Sequence, residues 1–146
     1  MNEDVFHLGI KALIRKHKSK ILLLQVNPAK LHGERKDYWD LPGGRVQKGD
    51  SPEETLKREV LEETGITEIA DIRHMTMVLS NIRIPTGDNE SVGLILSVYG
   101  CTVPDNGTIL LSDEHIAYEW FTPSDASELL QVKYPMEFCK AVANLH

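Results

Sequence analysis

An α/β domain is predicted for this chain of 146 residues. Three observations predict it. Stretches of period-two or continuous apolar character recur at 6–14, 21–26, 75–79, 92–103 and 115–121 and read as strands. One well-capped helix falls early, over 51–64, and two more, 123–130 and 135–145, close the chain. The order is not a regular strand–helix alternation and no GxGxxG is present, so a simple dinucleotide-binding fold is not indicated. No repeat, low-complexity tract or linker divides the chain, and residues 1–146 are expected to form a single domain.

Each element has its own justification. Phe6, Leu8, Ile10, Ala12 and Ile14 stand at every second position, which suits a strand. The polar, basic run 15–20 reads as a solvated hairpin tip rather than a phosphate site. Ile21 to Val26 is apolar except for Gln25, as in a buried strand. Residues 27–37, with Pro28 and Gly33, read as a loop. Tyr38 to Leu41 is a short extended piece that Pro42-Gly43-Gly44 is expected to stop. For the helix over 51–64, Ser51 suits the N-cap, Pro52 the first helical position and Glu54 the capping box, while Gly65 falls at the C-terminal cap. Leu56, Val60 and Leu61 are its expected apolar contacts. Residues 85–91 and 104–107 read as turns, and Thr122 is the expected cap of the helix at 123–130.

Composition narrows the function classes. At 41% hydrophobic the chain can bury a core, and at 26% charged it is not a candidate for disorder. A net charge of −6 argues against nonspecific nucleic-acid binding, which needs a basic face, but a metal ion can reverse the local sign of a site for a small anionic substrate. Cys101 and Cys139 lack CxxC spacing, and the six histidines form no HxH or HxxxH pair, so neither a disulfide framework nor a zinc site is suggested. The N-terminus has no signal-peptide pattern and no apolar run is long enough to span a bilayer. A cytoplasmic protein without a membrane partner is expected.

The chemistry is concentrated on one helix. Glu59, Glu62 and Glu63 stand at i, i+3 and i+4 and share a face, where their like charges repel by about 0.2–0.5 kcal/mol per close pair. Glu62 and Glu63 also lie toward the C-terminal end, where the helix dipole disfavours anions. A divalent cation converts this repulsion into coordination, and an all-oxygen donor set suits magnesium or manganese. Arg58 is placed to pair with Glu54 or Glu62. Three glutamates alone fit a solvated acidic helix equally well. The Gly43-Gly44 loop just before them lifts the metal reading, because exposed main-chain groups there can bind phosphate or donate a carbonyl to a metal.

Gly44, followed at fixed spacing by Arg58-Glu59-Val60-Leu61-Glu62-Glu63-Thr64-Gly65-Ile66, resembles the signature of the Nudix hydrolase family. The approach Trp39-Asp40-Leu41-Pro42-Gly43-Gly44 is similar to the family's as well. One position departs: the isolated glutamate of the signature is Asp50 here, a carboxylate one methylene shorter, at the place that in the family supports the loop and the box arginine. The resemblance implies an α/β/α sandwich with a mixed β-sheet and a loop–helix–loop catalytic box. It implies a Mg2+- or Mn2+-dependent hydrolase that cleaves the pyrophosphate bond of a nucleoside diphosphate derivative. Glu59 and Glu63 would then hold the metal with the Gly43 carbonyl as a third ligand, Glu62 would bind metal or position the attacking water, and Arg58 would orient the carboxylates. A further glutamate outside the box often completes such a site. Glu114 is the candidate, level with its reading as a loop charge, and Asp113 and Glu119 compete with it.

Substrate identity is less marked. Size favours a nucleoside triphosphate, with ADP-ribose and nucleotide sugars as alternatives. A non-catalytic nucleotide-binding module of the same fold is the competing class, and the intact Arg58, Glu59, Glu62 and Glu63 speak against it. No proline-rich NADH-type motif follows the box, and the absence of tyrosine between Ile66 and Tyr99 weakens a dinucleoside polyphosphate reading. Phe6, Tyr38 and Trp39 could stack a base, though core packing is the commoner role. Lys30, Arg35 and Lys36 could meet phosphates, though a solvated loop fits better. The expected partner is a small nucleotide, and a homodimer is left open.

Overall fold

The computed structural model describes residues 2–16, 19–30, 38–104 and 107–146. Its strands are β1 (Phe6–Lys16), β2 (Lys20–Val26), β3 (Trp39–Asp40), β4 (Gly43–Arg45), β5 (Ala70–Leu79), β6 (Ile84–Gly87), β7 (Glu90–Thr102) and β8 (His115–Phe121). Its α-helices are α1 (Pro52–Thr64), α2 (Pro123–Leu129) and α3 (Met136–Ala143). The sheet runs β3-β2-β1-β7-β5, with β4 on β1, β6 on β7 and β8 on β2. β1 and β7 pair in parallel and the other pairs are antiparallel, so the sheet is mixed as expected.

The alternation along β1 and β2 builds two cores. Ile10, Ala12, Ile14, Leu22 and Leu24 point to one face, where Leu56 and Val60 of α1 close over them. Leu13, Ile21 and Leu23 point to the other, under Ala126, Leu130, Phe138 and Val142 of the C-terminal helices. The result is an α/β/α sandwich. Leu61 is 48% exposed and does not join the α1 contact that the sequence suggested, because it lies a quarter-turn beyond Val60.

Several boundaries move. Gly43 and Gly44 do not end an extended segment but enter β4, paired with Lys11 and Ile10 of β1. The approach is so close that a Cβ on Gly43, whose φ is 155°, would lie 2.0 Å from the Ile10 carbonyl oxygen. Part of the expected turn at 85–91 is strand β6, where Pro85 is tolerated in a short strand at the sheet margin. β1 runs two residues past the expected 14, and β5 begins at Ala70 rather than 75. A short 3-10 turn, Pro28–Lys30, opens the stretch read as a loop; Arg35 and Lys36, offered there as phosphate contacts, lie outside the described residues.

The caps of α1 form as read. Ser51 Oγ accepts the Glu54 N–H at 3.2 Å and Glu54 Oε2 accepts the Ser51 N–H at 3.4 Å. Gly65 sits in the left-handed region at φ 76°, and its N–H reaches the Leu61 carbonyl. Thr122 caps α2 through the Asp125 N–H. Ser51→Ala is expected to lower unfolding stability by about 1 kcal/mol. Urea denaturation measures it, and an unchanged midpoint would show that the cap carries no weight in the folded chain.

Candidate active site

The seat of β4 on β1 delivers Gly43 and Gly44 to the C-terminal half of α1. Gly44 makes room for a carboxylate: a Cβ there would lie 2.3 to 2.7 Å from the carboxyl atoms of Glu59. Glu63 tucks beneath the same loop, 4% exposed, and its Oε1 accepts the Gly43 N–H at 2.7 Å. Burial pushes the Glu63 carboxyl up to about 8; Lys11 and the Gly43 N–H oppose the shift and Glu59 adds to it. Glu59 is raised too, by burial and by Glu62, against the pull of Arg58. Glu62 differs from both, with its side chain 57% exposed.

Arg58 bonds Asp50, so the shorter carboxylate still reaches its partner. Its Nη2 lies 3.6 Å from Glu59 and its Nε 3.9 Å from Glu62. Of the two partners expected from the sequence, Glu62 is at ion-pair range, whereas Glu54 is engaged in the cap. Arg58 is thus held by Asp50 beside the two glutamates that follow it.

The opposite wall comes from the start of β8. Asn27 fixes this segment, its N–H on the Glu114 carbonyl at 2.9 Å and its side-chain amide on the Asp113 carbonyl at 2.9 Å. Glu114 and His115 place donor atoms with one from Glu63 in a single group, all within 4.8 Å of one another. Of the two competitors, Asp113 pairs with Lys30 at 3.2 Å, and Glu119 lies within β8 opposite Leu23. His115 was not anticipated, since no histidine pair marks it in the sequence. Its side chain is 7% exposed, and its Nδ1 is buried without a hydrogen-bond partner, 4.0 Å from Glu63 Oε2. Burial, and then Lys11, pull its pKa down to about 4, so the imidazole is neutral at pH 7.

These groups border a cleft of about 840 Å3 lined by Gly43, Gly44, Glu59 and Glu114 and, further along, by Lys11 and Lys133. Lys11, in β1, breaks an otherwise apolar run. Its ammonium meets Asp40 Oδ2 at 3.0 Å and the Leu41 carbonyl at 3.3 Å. Lys133 Nζ reaches the same Oδ2 at 2.6 Å, and Tyr134 OH donates to Oδ1 at 2.6 Å. Burial alone would raise Asp40, but the two ammoniums hold its carboxyl well below the usual range. Lys133 is drawn down to about 8 by burial and by Lys11, against Asp40. The aromatic candidates separate: Tyr38 and Phe6 line the cleft, while Trp39 packs edge-on against Phe121 at 5.1 Å in the core. Lys30 lines it as well.

The donor set fits a hard divalent cation. Glu63 and Glu114 bring carboxylate oxygens to the group that includes His115, and Glu59 stands near Glu114; such oxygens are donors of the kind magnesium and manganese take. Two of the carboxylates are desolvated in part or in large part, and the unpartnered His115 nitrogen belongs to the same group as Glu63.

The NUDIX domain family model matches residues 5–138. A MutT-like protein of Streptomyces ambofaciens is 32% identical over 104 residues, 71% of this chain and 60% of that protein. The nucleoside triphosphatase NudI of Salmonella paratyphi B is 37% identical over 91 residues, 60% of this chain and 63% of that protein. The matched segments thus span about three-fifths of these relatives. Among solved structures, a MutT protein from Methanosarcina mazei Go1 superposes with a TM-score of 0.69 at 28% identity, covering 97% of this chain and 96% of that one.

The buried Glu63 carboxyl has a pH signature. Its folded value lies above its unfolded one, so its contribution to stability is full below about 4.5 and is lost as pH rises through about 8. In chelator, Glu63→Gln should therefore melt higher than the parent at pH 8 and no higher at pH 4.5. Calorimetric melts at the two pH values decide it, and equal differences at both would sink it.

Proposed function

The chain belongs to the Nudix family, and on that premise we propose that it hydrolyses the pyrophosphate bond of nucleoside triphosphates with bound magnesium or manganese. The observation that carries the reading is the pair of desolvated carboxylates, Glu59 against Gly44 and Glu63 against Gly43, opening on the cleft that Glu114 borders from the other side. Desolvating two carboxylates side by side is costly unless a cation is to be held there. The triphosphatase named among the relatives supports the substrate class.

When bound, the divalent ion supplies neutralisation of charge on the pyrophosphate oxygens. The chain's residues do the rest. Glu59, Glu63 and the Gly43 carbonyl would hold the ion. Arg58 acts as a positioning residue, tied to Asp50 and fixing Glu59 and Glu62. Glu62 and Glu114 face solvent and the cleft, where a carboxylate can take the proton of the attacking water as its oxygen bonds to phosphorus. The bridging oxygen then leaves with the electron pair of the broken P–O bond.

Glu63→Gln and Glu62→Gln are each expected to remove most metal-dependent turnover, on the order of 100-fold or more in kcat, as loss of a ligand or general base does. The assay couples nucleoside triphosphate cleavage to a phosphatase and reads inorganic phosphate. Near-parental turnover in both variants would reject the assigned roles. Tight nucleotide binding with no cleavage by the parent would favour a binding module instead.

A further inference from the structure

The hydrolytic reading leaves one feature of the cleft unused: the ammonium groups of Lys11 and Lys133, two residues that are 7% and 8% exposed. Their carboxylate partner is saturated. Asp40 Oδ1 accepts the Leu41 N–H at 2.7 Å and Tyr134 OH at 2.6 Å, and Oδ2 accepts both ammoniums. A carboxylate has about four acceptor sites, so Asp40 presents none to the cleft. An ammonium carries three N–H donors. Lys11 uses two of them, on Asp40 and the Leu41 carbonyl, and Lys133 uses one, on Asp40. The remaining donors have no further acceptor bonded among the described residues. Two ammoniums thus share the one carboxylate oxygen Oδ2 of Asp40. Ile82, Leu94, Leu96 and Tyr38 add apolar and aromatic surface to a lining that also holds polar side chains.

A substrate whose diphosphate lies by Glu59 and Glu114 extends its other end over this floor. The walls suit the flat faces of a base and the floor suits an edge that accepts hydrogen bonds. Guanine offers O6 and N7 and thymine or uracil O4, all acceptors, whereas adenine and cytosine turn an amino donor to the same edge. Resting on the nucleotide reading above, we propose that Lys11 and Lys133 make the cleft selective for bases with a keto oxygen at C6 of a purine or C4 of a pyrimidine. An amino group there would meet donors only, and its own N–H groups would go unpaired.

The test is kcat/KM for GTP against ATP and for UTP against CTP with magnesium, together with calorimetric binding of their non-hydrolysable α,β-methylene analogues. Keto bases should lead by roughly tenfold or more in both pairs, the scale of one good donor–acceptor match. The difference should appear mainly in KM and in binding, since the contact is remote from the phosphorus. Lys133→Gln, which adds an acceptor, and Lys133→Met, which removes the donors, should bring both ratios toward one. Equal kcat/KM and equal binding within each pair for the parent protein would overturn the inference and leave the hydrolase standing. Binding in the keto order without cleavage would support the inference and remove the hydrolase. Neither binding nor cleavage of any of the four would overturn both.

Discussion

Asp40 is the constraint on which the molecule's inner organisation depends. It stands at the end of a two-residue strand, yet its two oxygens collect donors from β1, from its own neighbour Leu41, and from Lys133 and Tyr134 ahead of α3. The sheet and the C-terminal layer therefore meet at a charge as well as at apolar side chains. Removing one partner of such a buried set typically costs about 3–5 kcal/mol, because the others remain desolvated without it. The arrangement also explains why a lysine can occupy an inward position of β1. Lys11 is held charged by Asp40 and Glu63 against the burial that would strip its proton.

Glu63 extends this chain of dependence to the helix. Its carboxyl is close enough to Lys11 for the lysine to oppose the rise that burial imposes on it, and it accepts a main-chain N–H from the loop that β1 positions. The glycines matter for space more than for flexibility. A side chain on Gly43 would strike β1, and one on Gly44 would strike the Glu59 carboxylate. The loop, the strand and the acidic helix thus fix one another, and a change to any of them alters where the carboxylates stand.

What could be read from the sequence follows from range. The α1 helix, its caps and its glutamates are encoded within fifteen or so neighbouring residues, where spacing translates directly into geometry. The strand β1 was legible from its alternation and β2 from its continuous apolar run, both of which report burial. β4 and β6 were not, since glycine and proline there answer to a neighbouring strand and not to local propensity. The same holds for the site. Asp40 lies over ninety residues from Lys133 and Tyr134, and His115 meets Glu63 only across the fold. Their roles exist only once the chain has folded. The single local hint was Lys11, a charged residue within an apolar strand, which a reading of period alone passes over. Trp39 misleads in the opposite sense: an aromatic beside the box is packed against Phe121 and not turned to the cleft.

The cleft consequently has two ends of different chemistry, joined by one network. Glu59, Glu63 and Glu114 make one end acidic, and a divalent cation would suit it to a diphosphate. Lys11 and Lys133 make the other end rich in donors. Were the lysines free of Asp40, they would neutralise the carboxylates more fully and the drive to hold a cation would fall. Asp40 prevents this by engaging both ammoniums at its own carboxylate. Lys11 opposes the rise of Glu63, yet burial keeps Glu63 raised in spite of it. A buried anion that engages both ammoniums is therefore what lets lysines and carboxylates share one cleft.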